Sequence, residues 1–178
     1  MIGIKVEKAH GEYDPGTSKF FGAPTMPEEW LTDGTVGDDD FFFCQLKLSE
    51  FKNFDGNALS DKTGFIYIFL TRNGEDYTPN VRYCEKEPET LIDDFNAGFE
   101  IFDEMETDFS IDFFETRNTS DGTAILVEKG EEITLLQYDP LDSNMPEFLA
   151  DTERIAYFKM TKSDLKKLDF SNVKFTIE

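Results

Sequence analysis

The sequence predicts an α+β fold, predominantly antiparallel β with a few short helices, and three observations carry that reading. Apolar residues recur with a period of two in many short runs, and turn residues punctuate those runs. Only two stretches combine helical spacing with capping chemistry.

Taken in chain order, Ile2, Ile4 and Val6 alternate with Gly3 and Lys5, which predicts a strand with one buried face, placed at a sheet edge. Residues 11–40 are rich in Gly, Pro, Asp and Thr, and Pro15, Pro24 and Pro27 each remove a backbone donor. A long ordered loop or set of turns follows. Residues 41–48 (FFFCQLKL) are apolar on both faces and then alternate, as a central strand entering the core requires. Residues 64–71 (GFIYIFLT) form the second strong strand, and further strands are expected at 81–85, 98–102, 109–114, 123–128, 133–139, 154–160 and 173–177. Residues 161–168 open with Thr161, place Asp164 three positions later and space Leu165 and Leu168 for one helix face. Residues 88–95 put Pro88 in a first turn with early acids, and set Leu91, Ile92 and Phe95 on one side, predicting a second short helix.

A chain of 178 residues fits one domain at roughly 100–200 residues each, so 1–178 is read as a single unit with one core. The hydrophobic fraction is only 39%, but the 19 Phe compensate, since each aromatic ring buries about 150–250 Å². Acids outnumber bases 38 to 17, for a net charge of -21, and such a field repels phosphate backbones. Nucleic-acid binding is therefore excluded. No apolar run reaches the roughly 18 residues of a membrane span and no secretory leader is visible, so a cytoplasmic protein without membrane contact is expected. Cys44 and Cys84 make neither a disulfide framework nor a metal-ligand spacing, and read as reduced thiols.

Two segments resemble one another. One runs from Phe43 through Gln45 to Leu48 and, after a loop, to Ile66, Tyr67 and Phe69; the other runs from Leu135 through Gln137 to Pro140 and then to Ile155, Tyr157 and Phe158. Gln and Tyr are 22 residues apart in the first and 20 in the second, which points to two similar β-rich halves. Together with Ser18-Lys19-Phe20-Phe21-Gly22-Ala23-Pro24 and residues 164–173, these stretches resemble the YwqG-like family of bacterial proteins, over residues 18–70 and 134–173. Phe21 stands where that family has its first Gly, Leu31 follows Trp30 where it has Pro, and its His- and Gly-rich central stretch has no counterpart between Asn73 and Gly130. The resemblance implies an α+β fold of two similar halves and no defined reaction.

Catalytic groups are scarce. His10 is the only imidazole, and Cys44 lies in an apolar strand that predicts a buried, inert thiol, so a non-catalytic protein without a cofactor is expected, the alternative being a small-ligand binder or an unrecognised enzyme with its site between the two halves. The acid sets Asp38, Asp39, Asp40 and Asp139, Asp142, Asn144, Glu147 lack calcium-loop spacing and read as turn chemistry. An amide within an apolar strand must find several hydrogen bonds, so Gln45 and Gln137 are expected either to hold loop backbone or, with Trp30 and Tyr67, to line a ligand cleft between the halves. Charge is the more informative feature. Residues 85–115 hold twelve acids against one base, Lys86, whereas Lys159, Lys162, Lys166 and Lys167 cluster towards the other end. Alternation of Phe109, Ile111 and Phe113 with polar residues turns Asp108 and Asp112 outward. With Glu100, Asp103, Glu104 and Glu106 they are expected to form an acidic face over residues 98–115, one that binds a basic protein as a toxin-neutralising immunity protein would.

Overall fold

The computed structural model describes residues 1–116 and 122–178. Its strands are β1 (Ile2–Lys8), β2 (Lys19–Phe20), β3 (Asp40–Lys47), β4 (Phe65–Asn73), β5 (Asp76–Cys84), β6 (Phe109–Glu115), β7 (Ala124–Lys129), β8 (Glu132–Tyr138), β9 (Ala156–Thr161) and β10 (Lys174–Ile177). They join one antiparallel sheet in the order β10-β9-β8-β7-β1-β6-β2-β3-β4-β5. The two edge strands approach each other, with Tyr77 of β5 and Phe175 of β10 at a centroid separation of 6.0 Å, so the sheet curls into a nearly closed barrel. The one α-helix among the described residues, α1 (Lys162–Lys167), is capped as expected: the Thr161 hydroxyl accepts the Asp164 N–H at 3.1 Å.

The principal core lies within this curl. Phe43 packs its ring against Phe20, Phe21, Tyr138, Phe148 and Phe158, so rings from both halves meet around one side chain. A second cluster, Met26, Val36, Phe42, Phe65, Tyr67 and Phe69, lies on the outer face of β3 and β4 under the loops that carry Trp30, Ile92 and Phe95. Burial on both faces is what makes β3 and β4 continuous apolar runs.

Four expectations are corrected. β1 is not an edge strand but sits mid-sheet between β6 and β7; its alternation records one wet face, which central strands of an antiparallel sheet also have. Residues 98–102 are irregular, with Gly98 at φ +89 ending a turn, and Phe99, Ile101 and Phe102 pack on the core without pairing into the sheet. Residues 88–95 are not helical, because the Ile92 N–H donates to the Pro24 carbonyl and the Thr90 carbonyl accepts the Met26 N–H. β5 begins five residues before the expected 81, running through Pro79, which an edge strand tolerates.

The halves are real, and they exchange strands. β1 to β5 form one unit and β6 to β10 the other, and several of their hydrogen bonds and register features recur at equivalent positions. The register slips past Phe43 between β3 and β4 and past Leu135 between β8 and β9, after which Gln45 faces Tyr67 and Gln137 faces Tyr157. Across the other side Gln45 pairs with Lys19, and Gln137 with Ala124. Two residues before those partners, the carbonyls of Thr17 and Gly122 accept from the Gln Nε2 at 2.7 and 2.9 Å. One residue before them, the hydroxyls of Ser18 and Thr123 accept the N–H of Lys47 and Asp139 at 2.8 and 3.1 Å. Two residues after them, Phe21 and Leu126 are both left-handed, at φ 52 and 54. Finally, the Ser18 carbonyl accepts from Ile111 of β6, and the Thr123 carbonyl from Ile4 of β1. Each unit's first strand is thus docked on the other unit, and the exchanged strands pair with each other at the sheet centre.

The left-handed backbone at Phe21 has a physical account. A left-handed backbone costs a side-chain-bearing residue about 1–2 kcal/mol, and a buried Phe is worth about 3–5. Phe21 is fully buried against Phe43, Phe102 and Phe148, so packing outweighs strain. Its neighbour has no such freedom: a Cβ on Gly22, at φ +69, would lie 2.1 Å from the Asp108 carboxylate.

Candidate functional site

Gln45 is fully buried on the outer side of β3, and its amide is saturated. Its Oε1 accepts the Thr25 N–H at 3.0 Å, and its Nε2 donates to the carbonyls of Pro15 and Thr17 and to the Thr25 hydroxyl. The neighbouring Tyr67 hydroxyl donates to the Thr25 carbonyl at 2.5 Å, and burial pushes its pKa up. Trp30 meets the Tyr67 ring edge-on at 5.3 Å. Gln45, Tyr67 and Trp30 therefore form one assembly that clamps the loop before β3. Gln137 does not join it: the strands β2, β6, β1 and β7 lie between β3 and β8, and Gln137 holds Gly122 of its own unit. The cleft expected from these four residues is not assembled, because each amide is consumed by the loop of its own half.

The acidic residues divide into two groups. Asp108 is half-buried and committed: its carboxylate lies 2.9 Å from Lys19 Nζ and accepts the Ala23 N–H at 3.2 Å. Glu104 pairs with Lys8 at 2.7 Å, and Asp112 faces Lys5 across β1 and β6. Glu100, Asp103 and Glu106 are exposed and, among the described residues, have no ion-pair partner. They belong to residues 85–108, a strap from β5 to β6 whose Ile92 and Phe95 pack on the outer cluster and whose Phe99, Phe102 and Met105 pack on the principal core. Asn96 fastens it, accepting the Phe42 N–H at 2.8 Å and donating to the Phe42 carbonyl at 3.0 Å. Glu89, Asp93 and Asp94 are exposed on the same strap. Thr25 and Leu91 form a bridge between strap and preceding loop, so the acids of that loop, Glu28 and Glu29 among them, lie in the same outer layer. Leu31 and Leu91 are exposed within it, at 43% and 38%.

Lys19 is the polar centre that the sequence did not disclose. It is wholly buried, and its Nζ donates to Tyr13 Oη at 3.2 Å and to the Ala23 carbonyl besides facing Asp108. Burial lowers its pKa, and the Asp108 carboxylate opposes that shift. The lysine ties the loop before β3 to the end of the acidic strap. The matching position in the second unit is Ala124, so this centre belongs to one half alone. The only legible signal was a charged residue within an otherwise apolar and turn-forming run, Ser18 to Pro24.

Cys44 is buried with its pKa raised by desolvation, which leaves no nucleophilic thiolate at neutral pH. Among the described residues no group of three His, Cys, Asp or Glu side chains is disposed to hold a metal ion, and no helix is long and apolar enough to cross a membrane. The Asp139 set is turn chemistry: its carboxylate accepts the N–H of Leu141 and of Gly122. In comparisons with known proteins, neither a family model nor a curated protein matches the chain.

Proposed function

We propose that this protein is a non-catalytic interaction module whose acidic outer layer binds a basic protein partner, in the manner of an immunity protein. The observation that supports it most is the strap: Glu89, Asp93, Asp94, Glu100, Asp103 and Glu106 are exposed, close in sequence and without an ion pair among the described residues. Lys159 and Lys162, by contrast, are engaged with Glu178 and Glu128. Unpaired carboxylates at this density steer a cationic partner at rates that fall with salt. Leu31 and Leu91 supply the apolar contacts that a stable interface adds to charge. A cytoplasmic location and the relation to YwqG-like proteins belong to the same proposal; neither supplies a reaction.

The test is affinity capture with the native protein and with a variant carrying Glu100→Gln, Asp103→Asn, Glu104→Gln and Glu106→Gln. Asp108 is spared because it neutralises buried Lys19. A basic protein retained at low salt, released at high salt and absent from the variant supports the reading. Equal capture by both proteins sinks it.

A further inference from the structure

The exchanged strands close the two units at the sheet centre, and the opposite boundary, between edge strands β5 and β10, is left open. A cleft of about 840 Å³ occupies it, within the roughly 300–1,000 Å³ of small-molecule sites. Both units line it: Arg72 and Tyr77 come from β4 and β5, Arg154 and Asp151 from the segment before β9, and Phe175 from β10. Tyr77 packs on Phe148 and Phe175 at 5.3 and 6.0 Å, which gives the cleft an aromatic wall.

Its guanidinium groups are unspent. Among the described residues Arg154 makes no side-chain hydrogen bond or ion pair, and Arg72 donates only through Nε, to the Gly74 carbonyl at 3.1 Å. In a chain of 38 acids that is unexpected, the more so because Glu75, Asp76 and Asp151 line the same cleft without reaching either arginine. A guanidinium presents a planar fork of donors that matches a carboxylate or phosphate. The turn that delivers Arg154 is also strained. Leu149 and Glu153, at φ 61 and 50, are both left-handed and flank the 3₁₀ turn Ala150–Thr152. Such conformations persist only where the surroundings impose them, and they cluster at ligand sites.

We propose that this seam binds a small organic anion, a carboxylate or phosphate ester whose charged end lies between Arg72 and Arg154 and whose apolar body rests on Tyr77 and Phe175. The three rim carboxylates select against further negative charge, so the ligand carries a single anionic group or a compensating amine. This site is separate from the acidic layer, and neither reading depends on the other.

The experiment is a titration of the isotopically labelled full chain with benzoate, phenyl phosphate and neutral benzamide at constant ionic strength, followed by nuclear magnetic resonance. Saturable shifts at the Arg72 and Arg154 side-chain N–H and at Phe175 are expected with at least one anion and not with benzamide. Binding of one anion alone identifies the carboxylate or the phosphate as the recognised group. Arg154→Gln and Arg72→Gln, both at exposed positions, should each weaken binding about tenfold or more while leaving the rest of the spectrum in place. Absence of saturable shifts at these residues with both anions in the millimolar range, or undiminished affinity in Arg154→Gln, overturns the proposal.

Discussion

An ammonium with no access to water must be surrounded by acceptors, and Lys19 has three: the Asp108 carboxylate, the Tyr13 hydroxyl and the Ala23 carbonyl. Removing one member of a buried pair strands the other, at a cost of about 3–5 kcal/mol. Lys19→Met is expected to destabilise by less than that full amount in urea unfolding, because Asp108 keeps partial contact with water, and adding Asp108→Asn should recover part of the loss. Two buried tyrosines, Tyr67 and Tyr138, and half-buried Tyr13 set the alkaline limit. Burial raises the pKa of Tyr13, Tyr67 and Tyr138, so the fold retains their protons where unfolded tyrosines, near 10, release them. Their contribution is complete below about pH 10 and is lost as pH rises towards their folded values. Lys19 acts in the opposite sense, because its lowered pKa makes the unfolded chain the better proton binder at alkaline pH, but it is one group against three. Above about pH 10, tyrosinate absorbance and loss of β-sheet circular dichroism should therefore appear in one cooperative step; independent titration of the tyrosines in an intact fold would contradict this.

Individual strands were legible wherever burial is uniform. The run of Phe41 to Leu46 and that of Phe65 to Leu70 left little alternative to strands, and the recurrence of a Gln-bearing apolar run at Gln45 and Gln137 pointed to two similar halves. Alternation in β1 showed which residues are buried but carried no information about how many neighbours the backbone has. Residues 88–95 have helical spacing, yet their N–H and carbonyl groups find partners in the loop of Pro24 to Met26, a contact that no local pattern encodes. The candidate cleft failed for a related reason. A buried amide announces that it needs hydrogen bonds, but not whether a ligand or a neighbouring loop provides them. The two amides differ in load: Gln45 makes four contacts to three residues, whereas Gln137 donates to Gly122. Each buried group left without a partner costs about 1–3 kcal/mol, so Gln45→Leu should destabilise by about 3 kcal/mol and Gln137→Leu by about 1. Urea midpoints of the two variants check the order; a reversed order would count against equivalent positions with unequal burdens.

For the molecule as a whole, a net charge of -21 presses outward on the fold. Counter-ions shorten the reach of that repulsion to about 8 Å at 0.15 M ionic strength. The melting temperature should accordingly rise as sodium chloride is added from very low ionic strength towards about 0.15 M. A flat or falling profile would mean that the ion pairs at Lys8, Lys159 and Lys162 matter more than the bulk charge. The exchange of first strands has a different consequence, one of timing. On a ribosome β1 emerges first, but both of its neighbours, β6 and β7, are encoded more than a hundred residues later. β2 likewise waits for β6 on one side. At about 5–20 residues per second the nascent first unit spends several seconds with a sheet edge exposed and its leading strand unplaced. The protein is thus committed to closing its centre only after the rest of the first unit has emerged, and a chaperone that shields the edge of β2 and β3 would act in that interval.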